Sequence, residues 1–123
     1  VPYQIECLTS VETTIIPSEL WHLTVEAMMS HVCQTEELLS IIHRKPVSLR
    51  LWQFLIWLGQ KFGRDVDLGR LIDVAVTHQE IAEVINTTRV SVTRMLQQFE
   101  EEGLLTRHQR RIILRLPIGK AKV

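Results

Sequence analysis

The chain has 123 residues, 46% of them hydrophobic and 23% charged, with a formal net charge of zero. That is the balance of a folded soluble domain and excludes a disordered chain. No apolar run reaches the roughly 18–20 residues of a membrane span, because Arg50, Gln53 and Gln60 interrupt the richest stretch, and nothing resembles a signal peptide.

The neutral total conceals a segregation. From Asn86 onward, Arg89, Arg94, Arg107, Arg110, Arg111, Arg115, Lys120 and Lys122 oppose only Glu100, Glu101 and Glu102. The last third is therefore basic and the first two thirds acidic, which makes one end of the molecule an electrostatic footprint for an anionic partner.

Residues 3–16 alternate loosely and are rich in Thr, Val and Ile. They predict one or two strands ending at Pro17. A chain that opens in strand-like sequence without an initiator Met reads as a piece of a longer protein, or as one whose beginning was removed. Cys7 and Cys33 stand far apart with no CxxC and no His at zinc spacing. They are expected to be buried or half-buried thiols in a reducing cytoplasm, with no metal or iron–sulfur site.

From Ser18 to about Arg44 the pattern becomes helical, with Ser18 the expected N-cap and Glu19 near the positive end of the helix dipole. Trp21, Val25, Met28, Val32, Thr35, Leu39 and Ile42 recur at alternating spacings of four and three. Such a seam lies along one side of a helix of about 40 Å and suits pairing with a second copy. The plainer reading is an amphipathic helix packed on its own domain. Thr35 is the one polar residue on the stripe.

Pro46 breaks this helix, and Val47 to about Lys61 predicts a second. Its Leu49, Trp52, Phe54, Leu55, Ile56 and Leu58 make it apolar nearly all round, so it belongs in the core. Gly63 to Gly69 reads as a flexible connector and Leu71 to Val76 as a short strand.

Thr77-His78-Gln79-Glu80 has the form of a capping box and opens a short helix with Ile81, Ala82 and Ile85 facing inward. Asn86-Thr87-Thr88 supplies a tight turn, Asn86 tolerating a left-handed backbone and Thr88 capping the next helix. That helix runs from Arg89 to about Glu102 and stops at Gly103. Val92, Met95, Leu96 and Phe99 share its buried face, leaving Arg89, Val90, Ser91, Thr93, Arg94 and Gln97 on the other. Helix, three-residue turn and helix with basic residues at its start is the geometry of a recognition helix in the major groove. Beyond it, Leu104 to Thr106 and Arg111 to Leu116 alternate as two strands around the basic turn His108-Gln109-Arg110-Arg111, a natural wing.

The chemistry assigns roles. Arg89 and Arg94 suit guanine O6 and N7, and Val90 a thymine methyl. Thr77, His78, Thr88, Ser91, Gln97, Arg110 and Arg111 suit phosphates. The competing reading of Arg89 and Arg94 is a solvated face paired with Glu83 or with Glu100–Glu102, a run otherwise expected to face water away from DNA.

The run from Thr77 to Arg94 (Thr-His-Gln-Glu-Ile-Ala-Glu-Val-Ile-Asn-Thr-Thr-Arg-Val-Ser-Val-Thr-Arg) resembles the C-terminal half of the cyclic-AMP receptor/FNR family of bacterial regulators. It is closest to the cyanobacterial nitrogen-control (NtcA-like) branch, and the resemblance covers nearly the whole chain. It implies a mainly α fold with a small β part. Residues 1–17 would be terminal strands of a truncated effector-binding β-roll, 18–45 a long dimerisation helix, and 46–123 a winged helix-turn-helix domain.

By the same resemblance Arg89 and Arg94 match the family's base-reading arginines and Thr88 a backbone contact. Val90 stands where the cyclic-AMP receptor has an acidic residue; an acid would accept from a cytosine amino group, and Val90 cannot. Family effectors bind against the middle of the dimer helix, where Thr35 and Glu36 fall, although Thr35 would equally serve to set register. No effector or cofactor is assigned, because the phosphate-binding motif of the β-roll is absent from these residues.

The leading expectation is a cytoplasmic, homodimeric, sequence-specific transcription regulator on palindromic double-stranded DNA. Trp21, Val25, Met28, Val32, Leu39 and Ile42 would form the dimer interface, with RNA polymerase as a further partner. The alternative is a protein-interaction module that uses the winged helix and coiled coil without specific DNA binding. An enzyme is not expected, since His22, His31, His43, His78 and His108 have no partnered Asp, Ser or Cys at telling spacing.

Overall fold

The computed structural model describes residues 4–43 and 46–115. The expectations placed on Arg44, Leu116, Lys120 and Lys122 lie outside the described residues.

Residues 4–17 form neither of the expected strands and are exposed throughout. They join no strand of the sheet among the described residues, and an extended segment without a ladder partner leaves its backbone groups to water. A 3-10 turn, Ser18–Thr24, starts on the bond from Leu20 N to Pro17 O (2.9 Å) and leads into helix α1, Val25–Ile42. Pro17 therefore occupies the cap position expected for Ser18, whose side chain makes no capping bond. At about 2.0 Å rise per 3-10 residue and 1.5 Å per α residue, the two together span about 40 Å.

Helix α2, Val47–Phe62, is the centre of the core. Its Leu51, Phe54, Leu55, Ile56 and Leu58 are buried, whereas Leu49 near its start is exposed and Trp52 half-buried. The segment expected to be a flexible connector is instead ordered as a hairpin, strand β1 (Gly63–Val66) paired antiparallel with β2 (Gly69–Ile72). Two close approaches require its glycines. A Cβ on Gly63 would collide with the carbonyl of Gly59, and one on Gly69, at φ +147°, with that of Leu114. The strand expected over Leu71 to Val76 thus begins earlier and ends at Ile72, although Val74 still enters the core.

Helices α3 (His78–Ile85) and α4 (Arg89–Glu101) follow, then strands β3 (Leu105–His108) and β4 (Arg111–Leu114). The sheet has the antiparallel order β1-β2-β4-β3, so the last strand lies between its own partner β3 and β2 and joins two hairpins distant in sequence. Its register sets Leu71 opposite Ile113 and Thr106 opposite Ile113 on the other side. Core residues come from every layer: Ile72 and Val74, Ile81, Ala82 and Ile85, Val92, Met95, Leu96 and Phe99, and Leu105 with Leu114. Trp52 meets Phe99 edge to face at 5.5 Å, locking α2 on α4.

Helix α1 packs on its own domain at one end only. Its C-terminal end packs on α2 through half-buried Leu38 and Ile41 and an ion pair of Glu37 with Lys61 (3.4 Å). The seam residues Trp21, Val25, Met28, Val32 and Leu39 stay 47–61% exposed, with Ile42 half-buried. Cys7 and Cys33 are free and exposed, contrary to the buried setting expected of small thiols, because neither segment is covered in a single chain. Among the described residues no helix is long and apolar enough to cross a membrane.

Candidate nucleic-acid interface

The interface is built on two capped helices. Thr77 Oγ1 accepts from Glu80 N (3.1 Å), and Glu80 Oε2 accepts from Thr77 N (2.9 Å), so both halves of the capping box form. Helix α3 ends on Asn86, at φ +59° and ψ +61°, the left-handed position that Asn tolerates. Arg50 of α2 donates to the carbonyl of that residue (3.4 Å), which ties the turn to the core. Thr88 then caps α4 by accepting from Ser91 N (3.1 Å). Its own proton goes to Ser91 Oγ (3.0 Å), which leaves the Ser91 hydroxyl hydrogen free for an outside acceptor.

Burial of Val92, Met95, Leu96 and Phe99 fixes the rotation of α4 about its axis. The opposite face presents Arg89, Val90, Arg94 and Gln97 to solvent, with Ser91 and Thr93 half-buried at its flank. Val90 is 66% exposed, an apolar side chain at the tip of a helix with nothing of its own to cover it. Neither Arg89 nor Arg94 has an ion pair among the described residues. Glu83 instead accepts from Gln79 (3.1 Å), Glu101 from Gln97 (3.4 Å) and Glu102 from Gln98 (3.0 Å). The solvated-face pairing considered for the two arginines does not occur among the described residues.

The first carboxylate of the Glu100–Glu102 run departs from expectation. Glu100 is not merely solvated: it accepts from Arg107 N (3.0 Å), Nε (3.3 Å) and Nη2 (3.0 Å), joining α4 to β3. These bonds hold its carboxyl below the usual 4.5. Arg111, expected to contact a phosphate, is shared with Asp73 (2.8 Å), which also binds Arg64 (3.3 Å). Internal pairing therefore concentrates the basic end. Arg107 and Arg111 are each paired with a carboxylate, while Arg89, Arg94 and the exposed Arg110 have no such partner among the described residues.

The wing turn is the two-residue loop Gln109-Arg110 between paired His108 and Arg111. Both loop residues have positive φ, 49° and 67°, the type I′ turn that matches the twist of a hairpin. The turn holds Arg110 out beside α3.

The residues assigned to bases thus share one exposed helix face. Of the backbone set, Thr77, Thr88, Gln97 and Arg110 are exposed, while His78, Ser91 and Arg111 are half-buried. His78 Nδ1 lies 2.7 Å from Thr93 Oγ1, a bond linking α3 to α4 that spacing alone did not single out. Candidate effector residues Thr35 and Glu36 lie on exposed faces of α1, well separated in sequence from this surface. The Thr35 hydroxyl donates to His31 O (3.0 Å), a use of its proton within the helix.

A pair of capped helices at a tight turn, an exposed cationic face on the second and a hairpin beside them define a winged helix-turn-helix domain. Residues 49–117 match the Crp-like helix-turn-helix domain, and the chain belongs to that family of DNA-binding transcription regulators.

Similar proteins agree. The chain is 36% identical to the regulatory protein CysR of Synechococcus elongatus, over 94% of this chain and 57% of that protein. It is 35% identical to the global nitrogen regulator of the same organism, over 82% of this chain and 46% of that one. The chain therefore spans about half the length of these relatives. In fold it is similar to a CRP-family transcriptional regulator from Thermus thermophilus, with a TM-score of 0.67 at 20% identity over 82% of this chain and 51% of the other. It is also similar to the CO-dependent transcription factor CooA from Carboxydothermus hydrogenoformans, with a TM-score of 0.54 at 27% identity over 74% and 41% of the two chains. These relatives are regulators, not enzymes.

Proposed function

We propose that this chain is the DNA-reading and dimer-forming part of a cytoplasmic transcription regulator that binds a palindromic site as a homodimer. The observation that supports it best is the pair Arg89 and Arg94, without an ion pair among the described residues and exposed on the N-terminal half of a helix whose other face is locked in the core. In this reading α4 enters the major groove. Arg89 and Arg94 each donate two hydrogen bonds to guanine O6 and N7, and Val90 packs on a thymine methyl. Thr77, His78, Thr88, Ser91, Gln97 and Arg110 hold the phosphates, with Arg111 doing so only by sharing or leaving Asp73.

Residues 18–45 act as the dimerisation helix and 46–123 as the winged domain. The exposed seam of Trp21, Val25, Met28, Val32 and Leu39, with Ile42 at its end, pairs with the same seam of a second copy. Dimer symmetry then places two recognition helices in successive major grooves about 34 Å apart. Thr35 and Glu36, midway along the helix, are where an effector would reach the dimer, and RNA polymerase is the downstream partner.

Selection of bound duplexes from a random-sequence pool tests this reading. The expected result is an inverted repeat with guanine in each half-site and centres one helical turn apart. Recovery of unenriched DNA, or of single unpaired half-sites, contradicts it.

A further inference from the structure

A recess of about 240 Å³ lies between the wing and the start of α3. Thr77 and His78 line one wall, and Arg107, Arg110 and Arg111 the other. The His78 ring is half-buried at its edge, with Nδ1 turned to Thr93 of α4.

The hydrogen bonds at Thr93 bear on the tautomer of that ring. A threonine hydroxyl has one proton, and Thr93 donates its proton to the carbonyl of Arg89 (3.0 Å), which can only accept. With that proton donated to the carbonyl, the one between Thr93 Oγ1 and His78 Nδ1 (2.7 Å) belongs to Nδ1, the tautomer we take for the free ring. In a neutral ring Nε2 is then a bare acceptor. A phosphate diester oxygen is also only an acceptor, so the two cannot bond until Nε2 gains a proton.

The charges around the ring give the direction of response. Arg107 of β3 faces it with its charge met by Glu100, and Arg111 of β4 with its charge met by Asp73. Arg110 of the turn and Arg89 of α4 have no carboxylate partner among the described residues. On α3 itself Glu80 is committed to the amide of Thr77. Burial first, then Arg107 and Arg89, hold the imidazole below its ordinary 6.5, so it is neutral in the free protein at pH 7. A phosphate in the recess would offset those cations and favour the charged ring.

We infer that this recess seats one phosphate diester of the DNA backbone and that seating it takes up one proton at Nε2 of His78. The inference rests on the duplex-binding reading above. It makes His78 more than a passive contact: affinity for DNA rises as pH falls, between the lowered value of the free ring and the raised value of the bound one. Below the free value the ring is already charged, and the dependence disappears.

Two measurements on the full chain test it. The first is anisotropy titration of a labelled duplex from pH 5.5 to 8 at fixed ionic strength. With one linked proton, the dissociation constant of the unmodified chain should rise by up to tenfold per pH unit. His78→Gln should flatten that slope, while His108→Gln, at the neighbouring turn, should keep it. The second is the His78 ring proton resonance of the unmodified chain at pH 7. It should move to the imidazolium position on adding duplex and stay at the neutral position with millimolar inorganic phosphate alone.

Binding without pH dependence, or a slope that survives His78→Gln, overturns the inference and leaves DNA binding intact. A duplex that leaves the ring neutral, or an equal response to inorganic phosphate, likewise overturns the proposed seat. Failure to bind duplex at any pH overturns the inference together with the functional reading beneath it.

Discussion

The wing turn carries a substitution whose effects on stability and on binding should have opposite signs. Arg110 sits at φ +67°, where an L-residue other than Gly or Asn costs about 1–2 kcal/mol. Glycine removes that strain but adds about 0.5–1 kcal/mol of unfolded-state entropy to be lost on folding. Arg110→Gly should therefore stabilise the chain by about 0.5–1 kcal/mol, a rise in melting temperature of roughly 2–8 °C for a domain of this size. Arg110→Ala keeps the strained backbone and should gain nothing. Both remove a cation that no carboxylate neutralises, so both should bind duplex more weakly, and the slope of log K against log salt should flatten by about 0.9 per lost phosphate contact. Thermal unfolding and salt-dependent anisotropy titration read the two effects separately. If Arg110→Gly is no more stable than Arg110→Ala, or binds with the original affinity and salt slope, the argument that strain is retained here for contact with DNA fails.

Three further outcomes follow from other parts of the structure. Met28→Glu and Val32→Glu each place a charge on the exposed seam and should yield monomers by sedimentation; an unchanged dimer mass rejects the seam. Thr77→Ala removes the hydroxyl half of the capping box and should cost about 1 kcal/mol in urea unfolding, with a loss under a few tenths arguing that α3 needs no cap. The Glu100 carboxyl is lowered by its bonds to Arg107, so its contribution is present above the unfolded value of 4.5 and is lost as pH falls through the folded one. Glu100→Gln should accordingly be less stable than the unmodified chain at pH 7. That difference should close in acid unfolding curves, and a gap that persists at pH 2 assigns the effect to something other than the charge.

What the sequence made legible was local. The capping box at Thr77, the left-handed Asn86, the Thr88 cap and the four apolar positions of α4 are each set by residues within a turn of one another, and each appears as expected. The wing was legible from alternation about a basic turn, although the positive φ of Gln109 and Arg110 was not, because neither is a residue that favours it. The hairpin Gly63–Ile72 was read only at its far end, where a strand was expected from Leu71, and the rest was missed for a physical reason. Its strands are short, with β1 polar, and β2 is held by pairing with β4 and by Arg70 Nε donating to Gly59 O (2.9 Å), partners that no local pattern reveals. The same distance hid the pairing of Arg111 with Asp73 and of Arg107 with Glu100, so the charge count overstated how many arginines are free. Residues 4–17 show the converse: β propensity without a sheet edge makes no strand.

The central claim is that Arg89 and Arg94 read bases, and competition binding at fixed salt tests it most directly. A labelled specific duplex is competed with one carrying changed half-site guanines. Each good bidentate contact is worth about 1–3 kcal/mol, or roughly 5- to 150-fold in discrimination. Arg89→Ala and Arg94→Ala should each lose discrimination of that order while the chain stays dimeric and folded. Full selectivity retained by both variants would contradict the account.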